Sequence, residues 1–201
     1  MRILFQSPLE YYLDTVWFTA DQHFHHANII KYCKRPYQTV EEMNNDLIAK
    51  WNSVVQKDHV VYSLGDFCLG GWHQFRSIVD QLQGEINLVP GGHDERWLNA
   101  ARRATHIRVL DPLLTLEFMA PGPNTVVVIS HYAMRSWDRI HYGAYHLYGH
   151  SHGLLPGIGR SMDAGVDCHN YTPVSLRQVL AMLEECLTIK DHIPGNRKRA
   201  E

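Results

Sequence analysis

The chain has 201 residues, of which 45% are hydrophobic and 20% charged. That is one domain's length and an ordinary globular composition, which excludes a disordered, collagen-like or coiled-coil protein. Nineteen Lys and Arg against 21 Asp and Glu give a net charge of −2, so no bulk field draws the chain onto nucleic acid or a membrane surface.

The opening Met1 to Pro8 breaks too early for a secretory signal. Residues 1–14 read as a short extension ahead of a domain at 15–190. Thr15 to Ala20 is apolar and β-prone, a short buried strand ending at Asp21. Thr39-Val40-Glu41-Glu42 is a capping box and opens a helix running to about Asn52. His59 to Leu64 is a second strand, ending at Gly65-Asp66. Trp72, Phe75, Ile78, Val79 and Leu82 recur at helical spacing, and Gly84 closes that helix. Ile86 to Val89 is a third strand, ending at Gly91-Gly92-His93-Asp94. Leu113 to Met119 and Thr125 to Ser130 flank a Pro- and Gly-rich turn and read as an antiparallel pair, ending at His131. Tyr145 to Tyr148 is short and apolar and ends at Gly149-His150-Ser151-His152. Thr172-Pro173 supplies an N-cap and first helical residue for a stripe of Leu176, Val179, Leu180, Leu183 and Leu187. The basic stretch 194–201 reads as a frayed tail.

Strands and helices alternate early and an antiparallel pair follows, which predicts an α/β fold with mixed sheets. The four cysteines, Cys33, Cys68, Cys168 and Cys186, form no C-x-x-C pair and read as reduced thiols. No apolar run approaches the roughly 18 residues that span a bilayer, so the expected setting is cytoplasmic.

Histidine is over-represented, 14 of 201. Most of the single ones (His59, His73, His106, His141, His146, His169, His192) read as surface or satisfied core residues. The informative ones stand at strand ends. Five strands each deliver Asp or His just past their last apolar residue, and ligands of open α/β sheets bind beyond the carboxyl ends of strands. The set is Asp21, His23, Asp66, His93, His131, His150 and His152. Imidazole with carboxylate suits Zn, Mn, Fe or Ni. Asp21-x-His23 and His150-x-His152, read as extended, each turn two donors to one side. The donors exceed one tetrahedral site and suffice for two metals about 3.5–4 Å apart if a carboxylate bridges, with Asp66 the best candidate.

The pattern Asp21-Gln22-His23, Gly65-Asp66, Gly92-His93-Asp94, His131 and Gly149-His150-Ser151-His152 resembles the calcineurin-like metallophosphoesterases, in particular their small single-domain bacterial and phage members. The resemblance implies an αββα sandwich, two mixed β-sheets face to face with flanking helices. It implies a phosphoester hydrolase, a phosphodiesterase ahead of a monoesterase, acting through metal-bound hydroxide. Asp21, His23, Asp66 and His152 would hold a first divalent transition metal ion, and Asp66, His131 and His150 a second. His93 would assist the leaving group and Asp94 would orient His93. Manganese, nickel, zinc and iron all suit the donors. A small phosphoester or nucleotide is the expected substrate, nucleic-acid ends are a further option, and no membrane partner is expected. The family has Asn where this chain has Gly92, so the second metal is expected to bind more weakly. His25 is a further candidate ligand or substrate contact. Trp137, Tyr142 and Tyr145 are candidates for lining a substrate cleft. Two other readings stand beside this one. A weakened site would leave a protein-binding scaffold of the same fold. Gly149-x-Ser151-x-Gly153 also matches a serine hydrolase nucleophile elbow, although Leu154 to Gly159 is a poor start for the helix that motif needs.

Overall fold

The computed structural model describes residues 1–103 and 107–189. The strands are β1 (Arg2–Pro8), β2 (Val16–Thr19), β3 (Val60–Ser63), β4 (Glu85–Leu88), β5 (Arg108–Val109), β6 (Leu113–Met119), β7 (Thr125–Ser130), β8 (Tyr145–Tyr148), β9 (Ser161–Asp163) and β10 (Val174–Ser175). The helices are α1 (Leu9–Tyr12), α2 (Ala27–Tyr32), α3 (Val40–Val54), α4 (Trp72–Val79), α5 (Glu95–Ala101) and α6 (Leu176–Leu183).

Among the described residues, ten strands form two mixed sheets of five. In the first, ordered β10-β2-β3-β4-β5, strands β2 to β5 are parallel and β10 runs antiparallel to β2. In the second, ordered β1-β6-β7-β8-β9, only the β6–β7 pair is antiparallel. The first sheet's central strands are nearly continuous apolar runs, Val-Trp-Phe-Thr and Val-Val-Tyr-Ser, because both of their faces are covered. On one face Val16, Phe18, Tyr62 and Leu64 join Leu114, Leu116, Phe118, Val127, Ile129 and Leu147 of the second sheet in a single core. On the other face Val61, Ile86 and Leu88 pack under α2, α3, α4 and α5.

Helix α3 shows how sequence makes that layer. Thr39 caps it by accepting from the Glu42 amide, while the Glu42 carboxylate accepts from Gln38. Met43, Leu47 and Trp51 repeat every four residues and turn one buried stripe to the sheet. Helix α4 seats Phe75 flat against Trp97 of α5, ring centroids 4.0 Å apart, so Trp72 and Phe75 belong to the packed layer as expected.

Four differences from the sequence reading have physical causes. Residues 2–8 are an edge strand paired with β6, so the supposed extension is part of the second sheet. That strand alternates weakly and is mostly exposed, which hides it from a hydrophobic pattern. The last helix is capped by Ser175, not Thr172, because Val174 and Ser175 first pair with β2. The layers are also asymmetric. The outer face of the second sheet is covered by the loop carrying Trp137, Ile140 and Ala144 instead of by long helices. Trp137 is buried there, and Tyr142 and Tyr145 line a cavity of about 730 Å³ on that outer face, away from the rim where the predicted ligands gather. The basic stretch 194–201, His106 and His192 lie outside the described residues. The four cysteines are unpaired, and no helix among the described residues is long and apolar enough to cross a membrane.

Candidate metal centre

Strands β2, β3 and β4 are mutually parallel, and so are β7 and β8. The segments leaving their carboxyl ends meet at one rim. The Asp21 amide donates to the Gly65 carbonyl and the His23 amide to the Asp66 carbonyl, which ties the β2 and β3 loops together. The His150 amide donates to Asp21 Oδ2 at 2.8 Å and the His93 amide to Asp66 Oδ1 at 2.9 Å. The loops approach so closely that a Cβ on Gly91 would lie 2.4 Å from the Asp66 amide and carboxylate, and one on Gly149 would lie 2.8 Å from Asp21 Oδ2. Only glycine fits at either place.

The predicted ligands fall into two groups, Asp21–His23–His152 and Asp66–His131–His150, each with three donor atoms within 4.8 Å of one another. Asp66 lies between them. Its Oδ2 is 3.5 Å from His131 Nε2, 3.7 Å from His23 Nε2 and 3.9 Å from His93 Nε2. The two shorter spacings are near the separation of about 3.4 Å expected for donors on one tetrahedral cation.

The pairs two residues apart do not reach the rim from extended strands. Asp21, His23, Asp66, His150 and His152 all have positive φ, between 48° and 68°. Asp and His enter this left-handed region more readily than bulky residues, and strained backbone of this kind concentrates at functional sites. The strands stop first and the left-handed turns then aim the side chains inward.

Hydrogen bonds select the ring nitrogens. His131 Nδ1 donates to the Leu64 carbonyl at 2.8 Å, which leaves its Nε2 as an acceptor. His152 Nδ1 contacts Asp167 Oδ2 at 2.7 Å, and His23 Nδ1 contacts His26 Nδ1 at 3.3 Å. Asp21 Oδ1, His23 Nε2 and His131 Nε2 are then buried without any hydrogen-bond partner. Orphaned buried polar atoms are rare and costly in native proteins, and a cation in each group would satisfy them. The residues present therefore fit a metal centre.

Without a cation the charges are poorly balanced. Burial pushes the Asp21 carboxyl up to about 7 against the pull of His152 and His131. Burial also acts on Asp66, but the neighbouring His131 and His23 and a hydrogen bond from the His93 amide outweigh it and hold that carboxyl below the usual range. Burial lowers His23 and keeps it neutral, as a metal ligand must be.

Two residues, Asp167 and His26, do work that the sequence did not assign to them. Asp167 is clamped by Arg35, whose Nε and Nη2 reach its two oxygens at 2.8 and 2.7 Å. Arg35 also donates to the Asp21 and Gln22 carbonyls, so one buried guanidinium fixes both the β2 loop and the carboxylate that orients His152. Carboxylate–imidazole pairs of this kind commonly support metal ligands. Nothing local in the sequence marks Asp167, which lies 132 residues from Arg35. His26 supports His23 in a similar way and rests 6.0 Å from the His93 ring. Cys33 also lies near His152 and Asp167, but burial raises its thiol to about 11 and Asp167 is already engaged.

Two expected roles change. Asp94 makes no hydrogen bond to His93 among the described residues. Its oxygens accept from the amides of Asp66, Phe67 and Gly91, so it holds the loop that carries Asp66. Burial pushes its carboxyl up to about 6. His25 turns away to Asn44 and belongs to neither ligand group. Ser151 donates to Asp163 and is followed by turns, not a helix, so the serine nucleophile elbow does not form.

No family model matches the chain. The fold and rim define a two-sheet α/β protein with His/Asp groups able to hold a metal ion. By sequence it belongs to the family of the uncharacterized protein MJ1445 of Methanocaldococcus jannaschii, with 32% identity over 179 residues, 85% of this chain and 92% of that one. It is also similar to the gene 66 protein of Mycobacterium phage D29, 27% identical over 205 residues and covering 87% of this chain and 100% of that protein. Among solved structures, a protein of unknown function from Aquifex aeolicus, AQ665, superposes with a TM-score of 0.62 at 19% identity. The match covers 83% of this chain and 98% of that one and shows a shared fold.

Proposed function

We propose that this protein is a dinuclear-metal-dependent phosphoesterase of the calcineurin-like type, with a phosphodiester ahead of a monoester as substrate. The observation that carries the reading is the pairing of two three-donor groups about Asp66, with unsatisfied Nε2 atoms on His23 and His131. Asp21, His23, Asp66 and His152 would hold one cation, and Asp66, His131 and His150 the other. Manganese, nickel, zinc or iron would suit that donor set. Two such cations supply Lewis acidity toward a phosphoryl oxygen and lower the pKa of water toward neutrality.

The chain's own residues supply the rest. Leu64 and Asp167 fix the tautomers of His131 and His152, so each ligand presents a lone pair and not a proton. Asp94 and Arg35 hold the two aspartate loops still, which limits reorganisation as charge shifts. The His93 side chain is 51% exposed at the mouth, with Nε2 3.9 Å from Asp66 Oδ2. That nitrogen is placed to hand a proton to a departing alkoxide or phenoxide.

Demetallated protein should not hydrolyse bis(p-nitrophenyl) phosphate, and added Mn²⁺, Ni²⁺ or Zn²⁺ should restore turnover. His93→Ala should lower kcat by about 100-fold or more with metal content unchanged. Turnover that survives complete metal removal contradicts the proposal.

A further inference from the structure

Tyr132 stands beside the second ligand group on the loop after β7. Its ring packs edge-on against His131 at 4.8 Å and against His150 at 4.6 Å between centroids. The phenol then reaches across the rim to the β4 loop, where its hydroxyl lies 3.5 Å from the position a Cβ on Gly92 would take. Tyr132 is exposed by 55%, and its hydroxyl has no hydrogen-bond partner among the described residues. A ring held by two imidazoles with a free hydroxyl at its tip is a directed donor. Gly92 has no side chain to occupy the space beside it. His93 approaches Asp66 from the same β4 loop, and its ring packs near His23 of the other ligand group and near His26 beside it.

We propose that Tyr132 is a catalytic residue of this site, its hydroxyl donating a hydrogen bond to a non-bridging oxygen of the phosphoryl group held above Asp66. The inference rests on the metal-centre reading. It adds an oxygen-anchoring contact on the side of His131 and His150, while His93 serves the leaving group. A neutral hydroxyl donates well to a phosphoryl oxygen, and bonds to charged acceptors are the stronger ones. The protein's substrate is thereby gripped through its phosphate, whatever the ester group.

The test compares wild-type protein with Tyr132→Phe, both loaded with Mn²⁺. Phe keeps the ring packed against His131 and His150 and removes only the hydroxyl. Manganese per chain is measured by elemental analysis, and inorganic phosphate binding by titration calorimetry. The expected result is unchanged manganese with phosphate affinity about tenfold weaker in the variant. Equal phosphate affinity in the two proteins overturns the assignment. Loss of manganese from the variant also overturns it, because the hydroxyl would then serve the cation and not the phosphate. Failure of the wild type itself to take up manganese would instead strike the metal-centre reading, and this inference with it.

Discussion

At the scale of single residues, the rim works by leaving chosen atoms unsatisfied. His131 and His152 spend one ring nitrogen on a structural bond and keep the other free. Gly92 stands where the proposed metallophosphoesterase pattern has asparagine. The space at Gly92 is open, since a Cβ there would meet only the Tyr132 hydroxyl at 3.5 Å, an ordinary contact, and its φ is not left-handed. A Cβ can therefore be added there without backbone strain. Gly92→Asn should raise manganese occupancy of the second group, read by elemental analysis at limiting metal, and turnover should rise in parallel. Equal occupancy in the two proteins would show that the missing side chain has no bearing on the metal.

At the scale of elements, the site depends on how the ends of separate segments are pinned. The 3₁₀ turn Val166–Cys168 presents Asp167 to both Arg35 and His152. Its acidity is maintained against burial by bonds to those two partners, which hold the carboxyl below its ordinary range. Asp167→Asn keeps the shape but removes the charge that orients His152 and balances a buried guanidinium. Metal affinity should fall by about 10–100-fold, and stability should also drop because Arg35 loses its counter-charge. Calorimetric metal titration beside a denaturant melt checks both parts. A variant that matches the wild type in metal affinity would exclude the orienting role.

At the scale of the whole molecule, the second sheet is sealed on its outer face by a loop, and His146 lies at that seam. It is fully buried, with Nδ1 donating to the Val128 carbonyl and Nε2 accepting from the Met134 amide. Burial pushes its pKa down to about 4, from an ordinary 6.5. Between those values the unfolded chain binds a proton that the native state does not. Stability is therefore complete above pH 6.5 and declines as pH falls toward 4, by about 3 kcal/mol from this group. His146→Gln should flatten that part of the acid profile, measured by urea melts of metal-free protein. An unchanged slope would show that another group controls it.

Legibility followed the range of the interactions. Strands β3, β4, β6, β7 and β8 and helices α3 and α4 were readable because apolar spacing and caps act within a few residues. The candidate ligands were readable too, since strand ends in a parallel sheet face one way and Asp or His placed there is visible as text. Strand β1 was not, because its exposed alternation has meaning only beside β6. The same holds for Asp94, which serves amides 26 to 28 residues away rather than its neighbour His93. Asp167, His26 and Tyr132 gained their roles only when distant loops closed on each other. The sequence by itself determined which side chains were offered at the rim. The tertiary structure alone decided their partners, the left-handed turns that aim them and the nitrogen each leaves free, because hydrogen bonds such as His131 to Leu64, 67 residues apart, and Arg35 to Asp167, 132 apart, leave no local pattern.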